Sequence, residues 1–261
     1  MSSSDVFDVI DRRASIRKYE DRPVPDHVVE QVAAAGQRAP FTGQLYSMIF
    51  TSDPEKRQAV GEWLGALPRK APVFMLFCVD FRRLNRFVTR YGREVMMATS
   101  GLLWWGIQDV CYVAENIVLA AEAKGLGTCF LGGTPWVSEP LCRIFSIPQQ
   151  VFPVVGLVMG YPAEAPEPRS RIPLRFVLHK DAYRDLTEDD VSGALAVMDA
   201  GLLREGYFHK YQSGFRTLKG EPVLSDQEYG YGEHTARKFS SIWETFGYDL
   251  KQNLLKQGIE L

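Results

Sequence analysis

Apolar and polar residues follow one another along this chain in two rhythms, helical and alternating, that change from segment to segment without repeating. Residues 5–12 carry Val6, Phe7, Val9 and Ile10 at helical spacing. Residues 25–36, "PDHVVEQVAAAG", predict a second helix with acids early and Gly36 placed to stop it. A loop, "QRAPFTGQLYS", follows. "YSMIFTS" and "APVFMLFCVDF" then read as strands, the second so continuously apolar that it predicts a strand buried on both faces. The longest signal covers residues 96–124, closed by Gly125 where a left-handed cap is wanted. Ile107, Val110, Cys111, Ala114, Ile117, Val118 and Ala121 repeat there at threes and fours, and Trp104 and Trp105 add an aromatic patch. A helix apolar most of the way round is central or shared between subunits.

Further on, "GTCFLGG" predicts a strand running into a glycine turn, "VSEPLCRIF" a short helix and "FPVVGLVMGYP" another strand. The charged, proline-rich "AEAPEPRSRIP" reads as an extended arm. About fifty irregular residues come next, and then a terminal helix from about His234 with Phe239, Ile242, Phe246, Leu250 and Leu254 on one face.

Composition narrows the function classes. Of the 261 residues 46% are hydrophobic and 24% charged, which demands a packed core, and the net charge of -2 supplies no overall field for nucleic acid or an anionic membrane. Any anion site must be local. The start lacks a basic segment and a long apolar run, so the expected location is the cytoplasm. Cys78, Cys111, Cys129 and Cys142 stand far apart, with no zinc-type spacing. They predict buried, inert thiols and no metal.

The candidate chemistry lies in arginines, glycines and amides. In an extended "RRASIRKY", Arg13, Ser15 and Arg17 share one face, and Ala14, Ile16 and Lys18 the other. Guanidinium forks with a hydroxyl suit a phosphate. A solvated edge paired with Asp5, Asp8 or Glu20 explains the same residues. Arg169 and Arg171 in "PRSRIP" repeat the two-residue spacing. Thr42, Gly43 and Gln44 would let a backbone approach a flat ligand or would simply turn the chain, and Gly132 and Gly133 after Leu131 allow the same two readings. No nucleophile elbow, Rossmann fingerprint or phosphate loop occurs, and His27, His179, His209 and His234 each stand away from a candidate nucleophile. A site without an acid/base pair points to chemistry carried by a cofactor.

"RRASIRKY", "APFTGQLYS", "AENIVLAAEAKGLGTCFLGG", "FPVVGLVMGYP" and "PRSRIPLRFVLHKDAYR" occur in the order seen in the FMN-dependent nitroreductase family, which the chain resembles from about residue 5 to 184. The C-terminal part resembles the larger, NADPH-preferring, oxygen-insensitive branch that includes flavin reductases. The resemblance implies an α+β fold, a mixed, mostly antiparallel central sheet flanked by helices, in an intertwined homodimer with two FMN sites. It implies a flavin-binding domain over residues 1–185 and an extension over 186–261 whose terminal helix packs on that domain or on the partner.

By the family pattern Arg13, Ala14 and Ser15 meet the FMN phosphate with Arg169 and Arg171, while Arg17 reaches the pyrimidine edge of the ring. Thr42, Gly43 and Gln44 line the ring from the other subunit or its edge, and Leu131, Gly132 and Gly133 bring backbone groups near flavin N5. NADPH or NADH donates a hydride to N5 and a small acceptor (nitroaromatic, quinone or free flavin) collects it in ping-pong fashion, with no catalytic side chain. Gln44 and Tyr46 depart from the asparagine and glutamine common in the family, and "VLSDQEYGYGEH" offers no arginine for an NADPH phosphate before Arg237. Another FMN reaction (dehalogenation, enone reduction, flavin fragmentation), a non-catalytic flavin-binding protein and a flavin-free interaction protein are the alternatives.

Overall fold

The computed structural model describes residues 6–94, 100–210, 214–246 and 249–260. The chain divides into two compact units: Met1–Glu167 with Asp249–Leu261, and Pro168–Tyr248. The division expected at residue 185 falls inside the second of these.

In the first unit α1 (Val6–Arg12) and α2 (Asp26–Gly36) precede β1 (Tyr46–Thr51), α3 (Pro54–Leu64), α4 (Leu67–Lys70) and β2 (Val73–Asp80). Then come α5 (Phe81–Arg90), α6 (Ser100–Ala123), β3 (Gly127–Leu131), α7 (Ser138–Ile144) and β4 (Val151–Gly160). The strands form an antiparallel sheet in the order β1-β2-β4-β3. A parallel bridge from Ser15 to Thr128 extends it beyond β3, so the expected mixed, mostly antiparallel sheet is present.

All eight residues of β2 are buried, as the unbroken apolar run predicts, because its two faces look into two different cores. Met75, Phe77 and Val79 face α6, whereas Phe74, Leu76 and Cys78 face the cluster that contains Val60 and Leu141. Val110, Val113, Ala114, Ile117 and Ala121 of α6 are essentially inaccessible. Close approach needs glycine at two points: a Cβ on Gly106 would lie 2.9 Å from Val79, and one on Gly36 2.5 Å from Ile117. Residues 96–99 of the expected helix lie outside the described residues.

One expectation for α6 is corrected. Cys111 is exposed while Cys78, Cys129 and Cys142 are buried, because position 111 falls on the outer side of the helix. Trp104 and Trp105 are 64% and 48% exposed on that same side, beside Tyr112 at 45%.

The second unit contains α8 (Glu188–Glu205), α9 (Tyr207–Lys210) and α10 (Tyr231–Phe246). α8 replaces part of the expected irregular stretch, and its start is a capping box in which Thr187 and Asp190 satisfy each other's backbone N–H groups. Gly206, in the left-handed region at φ 62°, ends it. The single terminal helix expected from His234 is two helices: α10 belongs to the second unit, and α11 (Leu250–Lys256), capped by Asp249 through the Gln252 N–H, to the first. Phe239 is 69% exposed rather than packed, and the side chains of Ile242 and Phe246 lie outside the described residues. Leu254 and the following Ile259 close the core beneath the sheet, and Asn253 donates to the carbonyls of Pro135 and Trp136 at 3.2 and 3.3 Å. Among the described residues no helix is long and apolar enough to cross a membrane.

His234 stacks on Phe208 at 4.1 Å between centroids and stands 3.2 Å from the Tyr229 hydroxyl. Burial, and then the nearby Lys238 charge, holds its pKa down to about 4 from the usual 6.5. The unfolded chain therefore takes up a proton between those values that the folded chain refuses, and stability falls as pH drops from about 6.5 to 4. Screening of the half-buried ring limits the loss to about 1–2 kcal/mol. Urea titrations at pH 7 and 4.5 should show it, and His234→Phe should flatten that part of the profile while leaving the rest unchanged.

Candidate active site

The opening "RRASIRKY" forms a strap along the free edge of β3. α1 ends with the Arg13 N–H donating to the Val9 carbonyl at 3.2 Å, after which the chain extends and the Ile16 N–H donates to the Thr128 carbonyl at 2.8 Å. Side chains alternate as expected: Ala14 and Ile16 are buried, while Arg13, Ser15 and Arg17 are half-buried. Ile16 lies against Gly127, where a Cβ would come within 2.5 Å of its Cγ1. That fit fixes the strap's height over the strand.

The far end is tied as tightly. Tyr19 donates to the Ile16 carbonyl at 2.6 Å, and Glu164 accepts the N–H groups of Arg17 and Lys18 at 2.6 and 3.0 Å. Arg17 turns one guanidinium nitrogen back to the Ser15 carbonyl at 3.1 Å. Among the described residues the Arg13 guanidinium has no hydrogen-bond or ion-pair partner. Burial raises the carboxyl of Glu122 nearby, and the Arg13 and Arg12 charges offset that only in part.

At the other end of β3 lie the half-buried Leu131 and the exposed Gly132 and Gly133. A Cβ on Gly132 would meet nothing within 4 Å, one on Gly133 would only graze Leu64 at 3.9 Å, and neither glycine has a positive φ. Among the described residues, packing and backbone therefore demand neither glycine. Ser15 pairs with Thr128, three residues before Leu131, so along one strand edge Ser15 stands roughly 10 Å from Leu131 and about 13–16 Å from the glycine pair at ~3.3 Å per residue.

The loop before β1 depends on Asp109, which the sequence reading missed. This carboxylate on α6 has no accessible surface and accepts the N–H groups of Thr42, Gly43 and Leu45 at 2.6, 3.2 and 2.9 Å. Arg83 reaches the same loop from α5, donating to the carbonyls of Gln44 and Tyr46, each at 2.5 Å, and to Ser47 Oγ at 3.0 Å. Between them Gln44 takes φ 50°, a left-handed conformation rarely occupied by a non-glycine residue. A lone acid on the apolar stripe of "WWGIQDVCYV" is the signal that could have found Asp109.

Within the first unit the strap and the loop before β1 do not converge. The loop enters β1 at one edge of the sheet and the strap lies beyond β3 at the other, about 19 Å apart across four strand spacings of ~4.8 Å. Arg169 and Arg171 belong to the second unit, where Ser170 crosses α8 at Gly201 with no room for a Cβ. Arg169 pairs with Glu205 at 3.2 Å and stacks 3.8 Å over the Tyr207 ring. Arg171 is exposed and, among the described residues, donates only to the carbonyls of Arg169 and Ser170. Arg237 is 2% exposed and consumed by Glu233 and the carbonyls of Arg216 and Pro222, so it offers nothing to a nucleotide phosphate.

The sequence profile of the nitroreductase family matches residues 10–161, more than half of the chain. The chain belongs to the nitroreductase family. The matched span carries the strap, the loop, Asp109 and the glycine pair of this nitroreductase-family chain; the arginine arm and the second unit lie outside it. The chain is 31% identical over 227 residues to an FMN reductase (NAD(P)H) of Bacillus subtilis (strain 168), an alignment that covers 84% of this chain and 90% of that protein. It is 33% identical over 183 residues to a Cr(VI) reductase of Pseudomonas sp. (strain G-1), with 68% and 75% covered. The structure of B. megaterium NfrA2 superposes with a TM-score of 0.83 at 24% identity over 98% of both chains, a likeness of fold.

Asp109→Asn should turn one acceptor of the three-amide set into a donor facing other donors, at a cost of about 2–4 kcal/mol. Hydrogen exchange should locate the damage: the Thr42, Gly43 and Leu45 amides should exchange at least tenfold faster. Unchanged protection at those three amides would remove Asp109 as the loop's anchor.

Proposed function

We propose that this chain is an FMN-dependent NAD(P)H oxidoreductase that works as a homodimer in the cytoplasm, where its reduced nicotinamide donor is found. The observation that carries the reading is the β3 edge: Ser15 and the uncommitted Arg13 at one end and, about 13–16 Å beyond Ser15's partner Thr128 at ~3.3 Å per residue, two glycines that no contact among the described residues requires. Open space where a Cβ would stand suits a flat ring that approaches the backbone. The spacing suits a phosphate at Arg13 and Ser15 and a ring near Leu131, Gly132 and Gly133, with Ala14 seating the strap.

Arg171, exposed and without an acidic partner among the described residues, is the better phosphate ligand of its pair, and Arg169 holds the arm through Glu205. Arg17 would lie toward the pyrimidine edge, where a cation stabilises negative charge. Bound there, FMN supplies reversible two-electron chemistry between a reduced nicotinamide and a small acceptor such as a nitroaromatic, a quinone or free flavin. The chain's own residues bind, orient and tune.

The separation of Thr42, Gly43 and Gln44 from the strap supports the dimer, since a second copy can bring its loop to the ring. The uncovered face of α6, with Trp104, Trp105 and Tyr112, supports it too.

The test is the visible spectrum of the purified protein before and after anaerobic NADPH or NADH. A yellow protein bleached by either is expected. A colourless protein that takes up no FMN, or a yellow one that neither nucleotide bleaches, would remove the reading. Arg13→Ala should weaken FMN binding by about 10- to 100-fold, the worth of one charge-assisted bond. Trp104→Glu should shift the protein from dimer toward monomer in sedimentation.

A further inference from the structure

The first unit contains a second concave site. A groove of about 620 Å³ runs between α5 and the segment that leads into β4. That volume falls in the range of small-molecule sites. Its floor is apolar, made by Ile49, Phe145, Ile147 and Val151.

One rim is strongly cationic. Arg82, Arg86 and Arg90 stand at i, i+4 and i+8 on α5, about 6 Å apart along the axis at 1.5 Å per residue, and all three line the groove. Among the described residues none of these three side chains has a hydrogen-bond or ion-pair partner. The acid that lines the groove, Asp80, is already committed: it caps α5 through the Arg83 N–H at 2.8 Å, accepts from Ser47 Oγ at 2.5 Å and pairs with the Arg83 guanidinium at 3.4 Å. Like charges at four-residue spacing destabilise a helix, so the stripe has no role in folding that would account for it. Phe87, on the same face, is 60% exposed and offers a flat apolar surface beside the charges.

The groove is also held open by its own walls. The Gln150 carbonyl accepts the N–H groups of Phe81 and Arg82 at 2.9 and 3.3 Å, and Gln150 Oε1 accepts from Asn85 at 2.6 Å. Gln150 and Ser146 take φ 69° and 52°, left-handed values that non-glycine residues rarely adopt without a reason in their surroundings. Three cations over about 12 Å exceed what a single phosphate can engage, at 1.5 Å per residue of helix.

We propose that this groove binds a nucleotide that carries two or more phosphate groups, the phosphates on Arg82, Arg86 and Arg90 and the base against Phe87. Two sources share that chemistry: the adenosine half of NADPH, and a separate phosphorylated nucleotide. The first suits the place, because Arg83 ties α5 to the Gln44 loop, and it would give the chain a grip on the donor that the buried Arg237 does not.

The probe is adenosine 2′,5′-bisphosphate, titrated calorimetrically into the FMN-loaded protein. Saturable binding is expected, weakening as salt rises from about 50 to 300 mM. Arg86→Ala with Arg90→Ala should weaken it by at least about tenfold. Arg143→Ala, which removes an exposed cation paired with Glu139 on α7, should leave it unchanged. Should the double variant not fold, Phe87→Ala and the salt dependence of the unaltered protein decide. Competition between the bisphosphate and NADPH in turnover assigns the site to the donor, and binding without competition assigns it to a separate nucleotide; both uphold the groove. Absence of saturable binding, or binding that the variants and salt leave untouched, overturns it. Bleaching of the flavin by NADPH in that case would leave the oxidoreductase reading intact, so the two can fail separately.

Discussion

One buried carboxylate holds the arrangement together. Asp109 sits on the sheet-facing side of α6 with no contact with solvent, and a charge in that position is tolerable only when its oxygens are filled. Three backbone N–H groups fill them, all from the loop before β1. The loop therefore cannot move without stranding a charge, and α6 cannot shift because Gly106 already lets it touch Val79 as closely as backbone permits. Arg83 satisfies the loop's outward carbonyls from the opposite side. The strained φ of Gln44 follows from being gripped by both.

The glycines divide in a way that separates architecture from chemistry. Gly127 and Gly160 are fixed by packing: a Cβ on the first would strike Ile16, and on the second Pro72 and Tyr19. These contacts seat the strap. Among the described residues nothing fixes Gly132 and Gly133. A residue type that costs conformational entropy on folding and returns no packing is best explained by something that approaches from outside. The strap and the glycine pair, one structurally tight and the other structurally idle, share a single strand edge.

The elements were readable where the cause is local. The unbroken apolar run of β2, the alternation of Arg13, Ser15 and Arg17 with Ala14 and Ile16, and the body of α6 each carry their own periodicity. α8 was readable too, in "TEDD" and in Gly206, but its polar surface and weak apolar stripe hid it. Asp109 escaped because its partners lie more than sixty residues away, and backbone amides leave no mark in a sequence. The break between α10 and α11 escaped for a similar reason: apolar spacing continues across it, while the two helices serve different cores.

Within a chain of net charge -2 the arginines fall into two populations. Arg57, Arg83, Arg169 and Arg237 spend their donors on carbonyls or carboxylates and behave as cross-links; Arg57 alone reaches the carbonyls of Ser52, Arg69 and Ala71. Arg13, Arg82, Arg86 and Arg90 have no such partner among the described residues. A guanidinium carries five donors in a fixed fork, and a fold that can satisfy one usually does. Where cations are left unsatisfied beside a concave surface or a bare strand edge, the missing acceptor is an anion from outside. Charge of this kind is informative through what it fails to touch, which only the folded chain reveals.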